Sequence, residues 1–165
     1  MRTVLVISDT HGTMPDWLCD VPADAVLHAG DIGDDRTLFA LHCFHTVHAV
    51  RGNTDATLRD LPDIIRADID GVRFFLVHNL AAPHRIAATN AAEIDSYRPR
   101  VVVFGHTHEP LIAEKNGILY LNPGSLGRAG INGTQTYALL SLESGAVNKI
   151  EIFDMTRRSI LTWPV

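Results

Sequence analysis

Seven side chains that can ligate metal ions follow short apolar segments in the first two thirds of the sequence. They are four imidazoles, two carboxylates and one carboxamide: Asp9, His11, Asp31, Asn53, His78, His106 and His108. No thiolate belongs to the set, and this combination suits manganese, iron, zinc, cobalt or nickel better than a structural zinc site. The residue types therefore predict a metal centre.

The spacing of these residues allows their side chains to enter one cavity. Asp9 and His11 lie two positions apart, as do His106 and His108. Residues i and i+2 of an extended backbone point to the same face, so we expect each pair to present two ligands together. A glycine directly precedes three of the seven residues, where a missing Cβ lets the backbone turn tightly or approach closely.

Seven ligands are too many for one ion and suit two. Two divalent ions can clamp a phosphoryl group and activate a water molecule between them. Asp31 is the natural carboxylate to bridge them. The charge of two dications exceeds that of the Asp9 and Asp31 carboxylates, and Asn53 is neutral, so the net charge of the site is positive. A positive site attracts an anionic phosphate. We expect two divalent ions per chain, manganese first, with iron, zinc, nickel or cobalt as alternatives.

The elements that must position the ligands are short buried strands. Five apolar runs each lead directly into a ligand motif: Val4–Ile7, Ala25–Ala29, Thr46–Val50, Val72–Val77 and Val101–Phe104. In an open α/β sheet, ligands bind just beyond the carboxyl ends of the strands. The five motifs can therefore converge on one site without a long loop.

The remaining pattern predicts an α/β fold with an added antiparallel section. Helices are expected over Asp34–Phe44 and Pro83–Tyr97, and a further strand over Ile64–Ile69. Two hairpins are expected, formed by Leu111–Glu114 with Ile118–Leu121 and by Gln135–Leu142 with Val147–Phe153. These elements suggest two packed sheets with outer helices.

Composition excludes several classes of protein. The chain has 165 residues, a net charge of -5 and 46% hydrophobic residues, which suits one domain over residues 1–165. It has no Lys/Arg-rich run, so long duplex nucleic acid is not an expected partner. No apolar run reaches membrane-spanning length and no signal-peptide cleavage site follows the first strand, so we expect a cytoplasmic protein with no membrane partner. The oligomeric state is open between a monomer and a homo-oligomer.

The two cysteines, Cys19 and Cys43, are expected to be buried small hydrophobic residues. They lie far apart and form no Cys-x-x-Cys motif. Nothing in their spacing suggests a disulfide framework.

The histidines outside the ligand set have simpler interpretations. His28 lies inside a predicted strand, so we expect a core position or support of a ligand from behind. Ordinary surface or half-buried positions are expected for His42, His45 and His48. His84 is expected to begin a helix near the rim of the site, or else to contact substrate.

Five short motifs occur in order along residues 9–108: Asp-x-His, Gly-Asp, Gly-Asn, a single His after a strand, and Gly-His-x-His. Together they resemble the motifs of the calcineurin-like metallophosphoesterase superfamily. The segments Gly-Asn-Thr-Asp at 52–55 and Asn-Pro-Gly-Ser at 122–125 resemble its small prokaryotic phosphodiesterase branch. The family's fold is a two-sheet β-sandwich flanked by helices, in four αββα layers. The resemblance therefore implies the fold that the element pattern suggests.

The resemblance also implies a role for each ligand. The first ion would be held by Asp9, His11, Asp31 and His108. The second ion would be held by Asp31, Asn53, His78 and His106, with Asp31 as the bridge. The implied activity is phosphoester hydrolysis, preferably of phosphodiesters, with a bridging hydroxide as nucleophile and with Asp31, Asn53 and His78 as catalytic residues. Substrate contacts would come from Asn53, Arg51 and His84, and the alternative for Arg51 is a surface ion pair.

The sequence departs from the family's pattern at two positions. Many superfamily members have a histidine after the Gly-Asn asparagine, where it protonates the leaving group, but this chain has Thr54. The residue after His78 is usually glycine, but here it is Asn79, which also tolerates left-handed backbone.

Two alternatives to a phosphodiesterase remain open. One is a phosphomonoesterase or nucleotidase with the same metal site. The other is a non-catalytic scaffold of the same fold, because a eukaryotic trafficking subunit resembles this branch and serves mainly as an interaction module. All seven ligand positions carry competent side chains, which favours an enzyme.

Overall fold

The computed structural model describes residues 1–81, 86–127 and 133–164. The strands in this part of the chain are β1 Arg2–Ile7, β2 Ala25–His28, β3 Val47–Ala49, β4 Ile64–Ile69, β5 Val72–Val77, β6 Val101–Val103, β7 Leu111–Lys115, β8 Ile118–Asn122, β9 Thr136–Glu143, β10 Ala146–Asp154 and β11 Ser159–Trp163. The α-helices are α1 Asp35–Ala40 and α2 Ala88–Tyr97, and short 3-10 helices span Asp16–Asp20 and Leu41–Cys43.

These strands form two mixed sheets. The six-stranded sheet has the order β11-β10-β9-β1-β2-β3, and the five-stranded sheet has the order β4-β5-β6-β8-β7. Strands β1, β2 and β3 are parallel, as are β5, β6 and β8. Each sheet therefore gathers the carboxyl ends of its parallel strands at one edge, where the polar motifs follow.

The sheets pack face to face because their strands alternate between two apolar sides. Val4 and Val6 of β1 belong to the same buried cluster as Phe74 of β5, which lies in the other sheet. Leu5 and Ile7 point to the opposite side of β1 and pack in a separate cluster. This period of two residues places one core between the sheets and another outside each of them.

Helices cover the outer faces of the sandwich. Leu18 and Leu41, from the two 3-10 helices, pack on the outer side of the six-stranded sheet. Ile94 of α2 packs with Phe75 on the outer side of the five-stranded sheet. The predicted α/β fold, a two-sheet β-sandwich flanked by helices, is therefore confirmed.

Most predicted elements occur within a residue or two of their expected bounds, but the helices are shorter. Asp34 caps α1 by accepting a hydrogen bond from the Thr37 N–H at 2.8 Å, and the helix changes to a 3-10 turn at Leu41. The predicted helix that begins at Pro83 is described only from Ala88, because residues 82–85 lie outside the described residues. Strand β11 was not predicted.

The expectation for the cysteines was wrong. Cys19 and Cys43 are exposed, and a disulfide joins them across a separation of 24 residues. Their neighbours Leu18 and Leu41 are buried in the same core cluster. The packing of those leucines brings the two 3-10 helices together, and sequence spacing alone does not reveal that contact.

Neither α-helix in the described part of the chain has the length and apolar character needed to cross a bilayer.

Candidate metal centre

The loops after β1, β2, β3, β5 and β6 carry all seven predicted ligands. Glycines allow these loops to pack closely. A Cβ at Gly30 would lie 2.7 Å from His78 Nδ1, and a Cβ at Gly105 would overlap Ser8 and Asp9. A Cβ at Gly52 would overlap Asp31. The glycines before the ligands are therefore required by close approach, as predicted.

Most of the predicted ligands have a left-handed backbone conformation and not an extended one. Five of the seven have positive φ angles between 46° and 71°: Asp9, His11, Asp31, His106 and His108. The expectation that an extended i, i+2 arrangement directs each pair was therefore wrong. Non-glycine residues rarely adopt this conformation, which costs about 1–3 kcal/mol each and concentrates at functional sites.

One group of ligand atoms gathers around Asp9. Atoms of Asp9, His11 and His108 all lie within 4.8 Å of one another. His108 Nε2 is 3.2 Å from Asp9 Oδ1, and the two Nε2 atoms of His11 and His108 are 3.5 Å apart. These residues belong to the set expected for the first ion.

A second group gathers around Asp31. Atoms of Asp9, Asp31 and His78 also lie within 4.8 Å of one another. Asp31 Oδ2 is 3.5 Å from His78 Nε2 and 3.8 Å from His11 Nε2, so one carboxylate oxygen faces a ligand of each expected ion. Asn53 Oδ1 lies 3.0 Å from His78 Nε2. The ring of the remaining ligand, His106, lies edge-on to His78 with centroids 5.2 Å apart.

The residues fit a bound cation. Asp9 Oδ1 is buried and has no hydrogen-bond partner among the described residues, although His108 Nε2 lies nearby. The other oxygen, Oδ2, accepts hydrogen bonds from Ser8 Oγ at 2.5 Å and from the His106 N–H at 3.1 Å. An unsatisfied buried carboxylate oxygen is costly, and a divalent ion would satisfy it.

His78 is oriented to offer one nitrogen to the site. Its Nδ1 donates to the Ala29 carbonyl oxygen at 2.8 Å, and this contact directs Nε2 towards Asp31 and Asn53. Burial lowers the pKa of His78, but contacts with Asp31 and with the Ala29 carbonyl outweigh it and raise the pKa above its ordinary value.

Asp31 is ionised at neutral pH. Burial opposes its ionisation, but hydrogen bonds from His78 and Thr54 hold the pKa of its carboxyl well below the usual range. The Thr54 N–H donates to Asp31 Oδ1 at 2.9 Å. The backbone of Thr54 therefore holds the Asp31 carboxylate in place.

His28 supports the site from behind, as predicted. The Gly30 N–H donates to His28 Nδ1 at 3.2 Å, so the ring proton is on Nε2, which lies 2.9 Å from Thr10 Oγ1. The Thr10 hydroxyl donates to the Ile32 carbonyl at 3.0 Å. Burial lowers the pKa of His28 to about 3, so the ring is neutral.

Asp55 is a positioning residue that the sequence analysis missed. Its buried carboxylate accepts the N–H groups of Ile32 at 3.1 Å, Gly33 at 2.8 Å and Gly52 at 2.8 Å. It thus joins the loop that carries Asp31 to the loop that carries Asn53. Its place in the Gly-Asn-Thr-Asp segment was the signal that could have found it.

The segment 122–125 braces the loop of His106 and His108. Asn122 Nδ2 donates to the Gly105 carbonyl at 3.1 Å and to Thr107 Oγ1 at 2.9 Å. The Ser125 hydroxyl donates to the Asp9 carbonyl at 3.0 Å. It therefore binds backbone behind the predicted ligands.

The three residues expected to contact substrate, Arg51, His84 and Asn53, differ in their surroundings. Arg51 forms the surface ion pair that was its alternative, with Nε 3.0 Å and Nη2 2.6 Å from Asp63 Oδ1. His84 lies outside the described residues. Asn53 is exposed at the rim, where a substrate can reach it.

The other histidines occupy the ordinary positions that were expected. His42 and His45 are exposed, and His48 is half-buried. Burial lowers the pKa of His48, which has no part in either group of ligand atoms.

Comparison with known proteins agrees with this geometry. The family model for the calcineurin-like phosphoesterase superfamily domain matches residues 1–145. A probable metallophosphoesterase of Mycoplasma pneumoniae is 30% identical over 158 residues, which cover 91% of this chain and 96% of that protein. A phosphodiesterase of Methanocaldococcus jannaschii is 27% identical over 168 residues, which cover 88% and 96%.

Among solved structures, wild-type Vps29 of Entamoeba histolytica complexed with Zn²⁺ superimposes with a TM-score of 0.79. It is 23% identical and covers 97% of this chain and 96% of that one, so this likeness shows the fold. The matching family model spans the strand ends and all seven predicted ligands. This chain therefore belongs to the calcineurin-like phosphoesterase superfamily.

Proposed function

We propose that this protein is a metal-dependent phosphodiesterase with two divalent ions in its site. The observation that carries the proposal is the position of Asp31 Oδ2, which faces His11 Nε2 at 3.8 Å and His78 Nε2 at 3.5 Å. A carboxylate oxygen between ligands of two separate groups is suited to bridge two ions. The name of the Methanocaldococcus jannaschii relative, a phosphodiesterase, supports the same activity.

Each ion would have its own ligands and would share Asp31. Asp9, His11 and His108 would complete the first set, and Asn53, His78 and His106 the second. When bound, such ions supply a hydroxide nucleophile at neutral pH and neutralise charge on the phosphoryl oxygens. The Vps29 relative complexed with Zn²⁺ supports metal binding by this fold.

The protein's own residues contribute orientation and charge. Asp31 is kept ionised by its contacts with His78 and Thr54, so its negative charge is available over the whole neutral pH range. The Ala29 carbonyl fixes the ring of His78. Because these groups are held before substrate arrives, little reorganisation is needed during the reaction.

A cavity of about 780 Å³ lies beside Asn53 and His78. Ligand pockets for small molecules typically have about 300–1,000 Å³, so this space can take one ester group of a diester. The single ester group of a phosphomonoester would fit it as well. The phosphomonoesterase is the second candidate because the relatives with a named activity are phosphodiesterases.

A protein-binding scaffold is the third candidate, and the fold likeness to Vps29 is the observation in its favour. Fold alone does not separate a scaffold from an enzyme. The intact ligand set and the buried Asp9 Oδ1 without a partner among the described residues favour metal binding and catalysis.

Metal content and activity together test the proposal. Chelator-treated protein is loaded with Mn²⁺, dialysed and analysed for metal, and we expect about two ions per chain. The loaded protein should hydrolyse bis(p-nitrophenyl) phosphate faster than p-nitrophenyl phosphate. Metal content near zero with manganese, iron, zinc, cobalt and nickel would overturn the enzyme, and a preference for the monoester would favour the phosphatase.

A further inference from the structure

The cavity beside the metal centre has walls that the proposed chemistry does not use. Asn53 and His78 belong to the centre, whereas Arg51, Arg59 and Asp63 line the same cavity of about 780 Å³ without being ligands. A phosphodiester bound at the centre has one ester group that leaves and one that stays. This cavity can hold an ester group, so its walls select the substituent.

The charged groups of the wall are not equally available to a ligand. Arg51 is paired with Asp63. Asp55 also lines the cavity, but it is buried and both of its oxygens accept backbone N–H groups. The formal charges of Arg51, Asp55, Asp63 and Arg59 sum to zero. Arg51, Asp55 and Asp63 already contact partners within the protein.

Arg59 is the exception. It is exposed, and its Nε donates to the Ala56 carbonyl at 3.3 Å. It forms no ion pair with a carboxylate of the described residues. A guanidinium has five N–H donors, so most of those of Arg59 remain for a ligand. Guanidinium groups bind carboxylates and phosphates through two parallel hydrogen bonds.

The amides of the wall add polarity without charge. Asn79 Oδ1 accepts the Ala81 N–H at 2.9 Å, and Asn90 Nδ2 donates to the Asn79 carbonyl at 3.2 Å. These contacts hold both side chains in place. Ala56, Ile64 and Val77 also line the cavity, so its wall is mixed. Within this wall, the available guanidinium of Arg59 is the group that can select an anionic substituent over a neutral one.

We propose that Arg59 binds a second anionic group of the substrate, so that the preferred diesters carry a carboxylate or a further phosphate on one ester group. The inference rests on the proposed phosphodiesterase function and names its substrate class. Arg59, and not the predicted Arg51, is then the residue that determines selectivity for charge.

Matched substrates isolate this effect. One p-nitrophenyl phosphodiester carries a propyl group and the other a 2-carboxyethyl group, so the leaving group is the same and the substituents are similar in size. A 2-phosphoethyl ester distinguishes phosphate from carboxylate as the preferred anion. The measured quantity is the ratio of kcat/KM for each anionic diester to that for the propyl diester, with Mn²⁺-loaded protein.

Four variants have different expected effects on this ratio. We expect Arg59→Ala to lower this ratio about tenfold, since one charge-assisted contact is lost, and Arg59→Lys to restore part of it. Asp63→Asn releases Arg51 from its ion pair and should raise the ratio. Arg158→Ala removes the same unit of charge from an exposed turn that does not line the cavity, so the ratio should stay as in the wild type.

The possible failures are distinct. If diesters are hydrolysed but the ratio is the same in the wild type and in Arg59→Ala, Arg59 does not bind the substituent and the inference is overturned, while the proposed function stands. If the metal-loaded wild type hydrolyses none of the diesters, the proposed function is overturned and the inference with it.

Discussion

His28 Nε2 lies 2.9 Å from the Thr10 hydroxyl oxygen, and this contact joins the two loops that carry Asp9, His11 and Asp31. On the other side of the ring, Nδ1 accepts the Gly30 N–H. The imidazole is thus a neutral strut between β1 and β2, at the point where both strands end. We expect a residue in this position to affect metal binding without contacting the metal.

The first prediction concerns the contribution of this strut. His28→Ala leaves the Gly30 N–H and the Thr10 hydroxyl with fewer buried partners, which should lower the free energy of unfolding by about 2–3 kcal/mol. His28→Asn keeps an acceptor near Gly30 and should lose less. Urea unfolding measures both, with exposed His45→Ala as the control. Equal stability of the His28 and His45 alanine variants would contradict the proposed strut.

Metal affinity provides a second readout for the same variants. Partners that orient metal ligands typically change affinity by about 10–100-fold, so calorimetric Mn²⁺ titration should show a loss in that range for His28→Ala.

The second prediction is a dependence of stability on pH. Burial lowers the pKa of His28 to about 3 in the folded protein, whereas the unfolded chain has its ordinary value near 6.5. The unfolded state therefore binds more protons between these values, and folding becomes less favourable as pH falls from 6.5 towards 3. The slope from one such group is at most about 1.4 kcal/mol per pH unit.

His28→Asn should lose this component. The measurement is urea unfolding of the metal-free wild type and variant from pH 7 down to pH 4.5, and the difference between the two curves isolates His28 from the carboxylates. A constant difference across this range would show that His28 is not neutralised by burial.

The third prediction concerns Asp31. Asp31→Asn removes the charge that would be shared by both ions but keeps an acceptor for the Thr54 N–H. Activity should fall by more than the roughly 10–100-fold that residues supporting a ligand produce. Circular dichroism should show an intact fold. A variant with activity within tenfold of the wild type would rule out Asp31 as the bridge.

The fourth prediction follows from Thr54. Its N–H contacts Asp31, and a threonine hydroxyl is far too weak an acid to protonate a leaving group at neutral pH. Rates for a series of substituted aryl diesters should therefore fall steeply as the pKa of the leaving phenol rises. Thr54→His should flatten the slope if the imidazole reaches the departing oxygen.

A flat slope in the wild type would mean that another acid is present. His84, which lies outside the described residues, would then be the first residue to replace, as His84→Ala.

The fifth prediction concerns the disulfide between Cys19 and Cys43. In the chain-entropy description, closing a loop of this size stabilises the folded state by about 3 kcal/mol. Thermal unfolding with and without reductant should show the difference, and the Cys19→Ser, Cys43→Ser double variant should not respond to reductant. Disulfides persist mainly in oxidising environments, so a wild type insensitive to reductant would agree better with the predicted cytoplasmic location.

Much of the fold could be predicted because the relevant signals are local. A mainly apolar run such as Val72–Val77 predicts a buried strand, and the polar residues after it mark the carboxyl end of that strand. Parallel strands align these ends at one edge of a sheet, so a linear pattern already implies a shared site. The identities of the seven ligands were accessible for the same reason, although their metal binding remains a prediction.

The backbone conformation of the predicted ligands could not be predicted from local sequence. Asp9 and His11 have φ angles of 54° and 46°, which local preference disfavours and which the surrounding contacts impose. Asp9 in this conformation is held by Ser8 Oγ and by the His106 N–H from the other sheet. Local sequence does not reveal a backbone geometry that depends on contacts with the second sheet.

The sequence by itself thus determined most of the strands, the polar motifs that follow five of them and the chemistry of the predicted ligands, because periodicity and residue type are local properties. Only the tertiary structure decided that Arg51 pairs with Asp63, that Cys19 meets Cys43 and that Asp55 ties two loops together. Each of these contacts depends on how loops and short helices pack on the sheets. Residue types indicate which side chains could form a contact, but packing determines which of them lie close enough to form it.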